Sequence, residues 1–114
     1  MSALLDDFAR RHAADVYWDT SEWFVAAERV PDLLLEVQAG GVRILGLEGV
    51  LVDGDNVYPS SDRIADFSRN DSQGDGIAEA FALLSGPWRS PPRPHEQMTR
   101  TARGRHMIAV VLDD

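Results

Sequence analysis

The chain of 114 residues contains neither cysteine nor lysine. Without cysteine there is no disulfide framework and no thiolate zinc site, and the composition fits a reducing compartment. Without lysine, all eleven cationic side chains are arginines, and no glycine-rich phosphate loop with its lysine exists. Gly46 and Gly49 lie inside an apolar run instead. No apolar stretch approaches the roughly 20 residues of a membrane span. The first residues, Met1 to Asp7, are acidic where a secretory leader would be basic, so a cytoplasmic location is expected. Ser60, Ser61 and Ser72 lack the Gly-x-Ser-x-Gly context of a nucleophile elbow. Histidine is scarce: His12, His95 and His106 match no helical ligand spacing, and a metal site would need His95 and His106 with Glu96. No catalytic, cofactor-binding or metal-ligating residue is therefore expected.

What is abundant is negative charge, which is unevenly placed. The net charge is −8; residues 1–87 hold 16 acids against 6 arginines, whereas residues 88–106 hold 5 arginines against Glu96. An acidic body opposes nucleic acid and steers basic partners toward itself. The arginines of the 88–105 segment, with Trp88 beside them, are read either as a binding loop or as a clamp onto the acidic body, and the clamp is preferred.

The length implies a single domain, 1–114, with a core large enough to need no covalent staple. Its organising stretch is Val42 to Pro59, β-branched and apolar up to Asp53-Gly54-Asp55-Asn56, a hairpin-turn composition. A hairpin over about 42–58 is expected, with Gly46 and Gly49 marking a bulge or a close backbone approach. The terminal run, 106–112, is apolar on both parities and reads as a strand buried on both faces, placed centrally beside the hairpin. Three or four helices complete an α+β fold.

The expected helices follow from caps and spacing. Ser2 caps a first helix to about Ala13, and Val16-Tyr17-Trp18 forms an edge strand. Asp19 or Thr20 caps a second helix through Val30, although Glu22–Arg29 also reads as a strand. Pro31 opens a third helix ending at Gly40-Gly41. Pro59 ends the hairpin, and Ser60 or Ser61 caps a short helical turn that sets Ile64 and Phe67 on the core. A polar loop, 69–76, precedes a last helix from Ile77 to Leu84. Its Asp71 to Gly76 imitates the start of a calcium loop, but the twelfth position is Ala82 rather than glutamate, so capping is the better reading. Residues 88–105 form an irregular Arg/Pro-rich loop.

The run Val30-Pro31-Asp32-Leu33-Leu34, then Gly41 to Gly49, Asp53-Gly54 and Ile64 to Ser68, resembles the small bacterial immunity proteins that accompany polymorphic or contact-dependent toxins. The resemblance covers about residues 30–68. It implies a cytosolic α+β protein that binds and blocks a toxin domain. It carries no functional residue across. From the acidic charge and the lack of a long apolar run, a basic protein partner is expected, with no nucleic-acid or membrane partner, and the chain is expected to be a monomer or weak dimer. The acids clustered around the hairpin, Glu48, Asp53, Asp55, Asp62 and Asp66, are the expected docking charges. Trp18 and Tyr58 are the expected anchors, drawn from Tyr17, Trp18, Trp23 and Tyr58, of which at least two are expected in the core. Two rivals remain: a small enzyme or ligand-binding domain with its site between the hairpin and the 88–105 loop, and a scaffold that dimerises through the hairpin edge.

Overall fold

A computed structural model describes residues 2–19, 22–69, 73–91 and 104–113. Five strands form one antiparallel sheet: β1 (Val16–Asp19), β2 (Glu22–Ala26), β3 (Arg43–Asp53), β4 (Asn56–Asp66) and β5 (Arg105–Asp113), in the order β1-β2-β5-β3-β4. Three α-helices accompany it: α1 (Ala3–Arg11), α2 (Val30–Ala39) and α3 (Gln73–Ser85). The α+β expectation holds, and β5 lies in the middle of the sheet beside the hairpin. Its central place follows from its two-sided apolarity: Ile108 and Val110 face one way, Met107 and Ala109 the other, and all four are buried.

The two faces have separate cores. Leu5 and Phe8 of α1, Val30, Leu33, Leu34 and Val37 of α2, and Ile77 and Ala80 of α3 pack on Val25, Ile44, Leu47, Ile108 and Val110. The opposite face has its own cluster of Phe24, Ala26, Val50, Val52, Met107 and Ala109, flanked by Tyr17 and Val57, and none of these residues comes from a helix.

Local chemistry sets the helix ends. Ser2 accepts a hydrogen bond from the Leu5 amide at 3.1 Å, capping α1. At the end of α2, Gly41 adopts φ 69°. The Val42 amide then reaches the Val37 carbonyl at 3.1 Å and the Gly41 amide the Gln38 carbonyl at 3.3 Å, closing the helix in a Schellman turn. Arg11 of α1 pairs with Glu36 of α2.

Five expectations are corrected. The segment after Asp19 is not a helix: Glu22–Ala26 is strand β2, followed by a 3₁₀ turn at Ala27–Arg29. Trp23, Phe24 and Val25 fit a pleated surface, and pairing to β1 and β5 satisfies their backbone on both sides. Pro59 does not stop the hairpin. β4 is an edge strand, where a missing N–H is tolerated, and Pro59 pairs opposite Val50. The helical turn expected at Ser60–Ser61 is instead a bulge. Residues 60–63 lie between the Val50–Pro59 and Glu48–Ile64 pairs, opposite Gly49 alone. This shifts Ile64 out of the core to 66% exposure, while Phe67 is buried as expected. Helix α3 starts at Gln73 rather than Ile77, so Gly74, Asp75 and Gly76 are helical. Gly76 is there for close approach, since a Cβ would stand 2.8 Å from Ile44 Cγ2. Asp71 and Ser72 of the calcium-like stretch lie outside the described residues. Finally, none of the four aromatics is fully buried: Tyr17, Trp23 and Tyr58 are half-buried and Trp18 is 42% exposed.

Candidate functional site

Strand parity puts the polar groups of β1–β5 in defined places. On the face that none of the described helices covers, one row runs Tyr17, Phe24, Ala109, Glu48, Ile64. The adjacent row carries Asp19 paired with Glu22 on one side and Val111, Gly46 and Asp66 on the other. Glu22 and Val111 line one cleft of about 280 Å³ with Asp6, Trp18, Trp23 and Asp113. The result is a patch at one end of the sheet with four carboxylates, Asp19, Glu22, Glu48 and Asp66, around two exposed aliphatic side chains, Val111 and Ile64. Gly46 keeps its centre free of a side chain. A Cβ there would stand 2.9 Å from the Ala65 carbonyl oxygen.

The electrostatics of the patch are unbalanced. Loss of solvent pushes the Glu22 carboxyl above the usual carboxylate range, and the like charges of Glu48 and Asp19 push it further. Among the described residues no cation pairs with Glu22 or Glu48. Asp66 differs: it accepts hydrogen bonds from the Ser68 amide at 2.9 Å and hydroxyl at 2.6 Å, which hold its carboxyl below the usual range. It is both an ionised member of the patch and the turn residue that ends β4.

The expected docking set is therefore divided. Glu48 and Asp66 come together on this face. Asp53 and Asp55 lie at the hairpin tip, about 17 Å along β3 from Glu48 at strand rise, and Asp62 is in the bulge. Trp18 and Tyr58 point to the helix side by parity, at opposite ends of the sheet. Trp18 reaches the rim of the patch through the cleft it shares with Glu22 and stacks edge-on against Trp23, ring centroids 4.9 Å apart. Trp23 in turn donates from Nε1 to Asp6 at 2.9 Å. Asp19 and Glu22 are not legible as part of this patch in the sequence, because a helix capped at Asp19 or Thr20 separates them from the other strands, and Val111 is hidden in a terminal run that is apolar on both parities. As a strand, the same two residues stand side by side.

The arginines of the 88–105 segment separate into two kinds. Arg105 is a clamp: it donates to the Ala14 carbonyl, to Asp15 and to Glu28, each at 2.9 Å. Arg29 adds a 3.1 Å contact to Asp15, and these arginines hold the Asp15 and Glu28 carboxyls low. Arg89 has no such partner among the described residues. Arg93, Arg100, Arg103, His95 and Glu96 lie outside the described residues. Among those described, no group of three metal-ligating side chains converges, and no helix is long and apolar enough to cross a membrane.

On the helix side, near the hairpin end, is a second polar locus. The bulge lays Arg63 over Gly49 and places its guanidinium 5.9 Å from the centre of the buried Trp88 ring. Arg63 Nη1 and His106 Nε2 are both buried without a hydrogen-bond partner among the described residues, a cost of about 1–3 kcal/mol for each such group. Burial, and then Arg63, push the His106 imidazole below its ordinary value, with Glu28 acting the other way. Compared with protein-family models, with curated proteins and with solved structures, the chain matches none.

Proposed function

We propose that this chain is a non-catalytic binding protein that docks a basic protein partner on its acidic sheet face, acting as the immunity proteins it resembles do when they block a toxin domain. The observation that carries this reading is the acidic sheet face itself: Asp19, Glu22, Glu48 and Asp66 surround the exposed Val111 and Ile64, and neither Glu22 nor Glu48 pairs with a cation among the described residues. Repelling carboxylates lower the stability of the free protein, and a basic surface laid over them relieves that repulsion. Long-range steering by the −8 chain speeds the encounter. The aliphatic centre and Trp18 at the rim give contacts that slow dissociation. Asp53, Asp55 and Asp62 lie outside the contact and act on encounter alone, and Tyr58 is not part of it.

The test is co-expression with the product of the neighbouring gene, scored as rescue of any growth defect that product causes, followed by binding kinetics at two salt concentrations. Glu22→Gln with Glu48→Gln should abolish rescue and raise the off-rate, whereas Asp53→Asn with Asp55→Asn should only slow association. Full rescue by the Glu22/Glu48 double variant, or no binding to the neighbouring product at any salt concentration, would overturn the proposal.

A further inference from the structure

The geometry points to a second, independent site: the cleft where the start of α2, the end of α3 and the start of β5 meet binds a small organic oxyanion, a carboxylate or phosphate on a compact apolar body. The cleft measures about 370 Å³ and is lined by Pro31, Leu84, Trp88, Pro91, Arg89 and His106, with Glu28 at its side. This is the lower end of the size range of small-molecule sites, and the lining is of their usual kind, mostly apolar with a few polar groups converging.

The polar groups present select the charge of the ligand. Arg63 stacks on Trp88, which lines the cleft, and its Nη1 is a buried donor with no acceptor among the described residues. A guanidinium has no acceptor at all, so only an acceptor, best an anionic oxygen, satisfies it. His106 Nε2, the other orphan, lies on the cleft wall and donates in one of its two tautomers. Arg89 stands at the rim without an acidic partner among the described residues. The opposing charge is Glu28, and its carboxylate is already taken by Arg105 at 2.9 Å. In a chain with net charge −8, two arginines with no acidic partner among the described residues, beside one apolar cleft, mark a place where an anion is the missing group. Because Arg63 lies on Trp88 rather than in the open cleft, engagement moves the guanidinium along the indole. Binding therefore reports on Trp88 directly. The site lies on the helix side of the sheet, at the opposite end of β5 from the acidic patch, about 17 Å along the strand, so the two can be tested apart.

The experiment is an NMR titration of the full chain at neutral pH with inorganic phosphate, benzoate and phenyl phosphate, following the Trp88 indole and His106 ring signals. Benzoate or phenyl phosphate should shift both signals saturably, and the bound anion should raise the pH at which His106 titrates. Saturation by phosphate alone would mark a phosphate headgroup as sufficient, whereas saturation by benzoate alone would mark a carboxylate with an apolar body. Arg63→Gln should weaken binding at least tenfold and His106→Gln several-fold, with Glu48→Gln binding as wild type. If Arg63→Gln fails to fold, Arg89→Gln on the exposed rim should still weaken binding several-fold. No saturable shift with any probe at millimolar concentration overturns the site, as does affinity unchanged in the foldable arginine variants.

Discussion

Replacing Gly49 with alanine adds one carbon at the point where β4 bulges over β3. An ideal Cβ at Gly49 would stand 2.8 Å from Arg63 Cβ and 3.2 Å from its Cγ. An ordinary carbon contact needs about 3.5–4.0 Å, so the bulge must lift by most of an ångström. The neighbours on this face, Leu47, Leu51 and Ile108, are buried and cannot give way. Over-filling a packed position costs about 1–3 kcal/mol. Against this, losing glycine's freedom in a strand returns about 0.5–1 kcal/mol. The net expectation is a loss of about 1–2 kcal/mol, or about 4–8 °C in melting temperature for a domain of this size. Thermal and urea denaturation measure it, and tryptophan fluorescence should change too, because Arg63 is displaced from Trp88. Moving the carbon from one strand to the other isolates the cause: in an Arg63→Gly background, Gly49→Ala should cost at least about 1 kcal/mol less than in wild type. A Gly49→Ala protein that melts with wild type, or a double variant whose losses simply add, would refute the close-approach argument.

Other expectations follow from the same structure. Val110→Asp should yield no cooperatively folded protein, since Val110 is buried on the central strand and an unpaired buried charge costs several kcal/mol; a soluble variant with a sharp melt would contradict the strand's placement. The raised Glu22 carboxyl means the folded state holds that proton more tightly than the unfolded chain, so its contribution is favourable below the unfolded carboxyl range and is lost as pH rises through the folded value. Glu22→Gln should accordingly be more stable than wild type at pH 7, by under about 1 kcal/mol, with the advantage gone near pH 4, as read by urea midpoints at both pH values. Asp15 and Glu28 have the opposite sign: their carboxyls are held low by Arg105, so their stabilisation is present above the unfolded range near pH 4 and is lost as pH falls through the lower folded values. Asp15→Asn with Glu28→Gln should flatten the acid limb of the stability curve; an unchanged limb would show that the clamp does not stabilise the fold.

Residues whose neighbours in sequence are also their neighbours in space were legible before the structure. Ser2 capping α1, Pro31 opening α2, Gly40-Gly41 closing it and Asp53–Asn56 turning the hairpin are all decided within a few residues. β5 was legible because burial on both faces leaves no polar parity. What failed depended on distant partners. Trp23-Phe24-Val25 suits a helix or a strand, and only pairing with Ala109, Ile108 and β1 decides it. A helical turn from Ser60 or Ser61 would set Ile64 beside Phe67 on the core, but the segment is strand, and three extra residues in its bulge change which way Ile64 faces. The site divided for the same reason. Acids adjacent along the hairpin, Glu48 and Asp53, end up a strand-length apart, while Glu22 and Glu48, twenty-six positions apart in the chain, repel each other.

The bulge at residues 60–63 has a further consequence at the margin of the sheet. β4 is its longest exposed rim, 11 residues, and a straight rim of that length is a template on which another chain can add a strand. Pro59 offers no N–H, and the next four residues fall out of step with any straight incoming strand. The other rim, β1, is only 4 residues long and ends at Asp19 beside Glu22. Neither rim offers an unbroken ladder to a second copy, which weighs against dimerisation through the hairpin edge and leaves this chain's flat surfaces to do its binding. Straightening the rim, by deleting the extra residues or replacing Pro59 with a β-branched residue, would turn a sheet that stops at five strands into one that can grow.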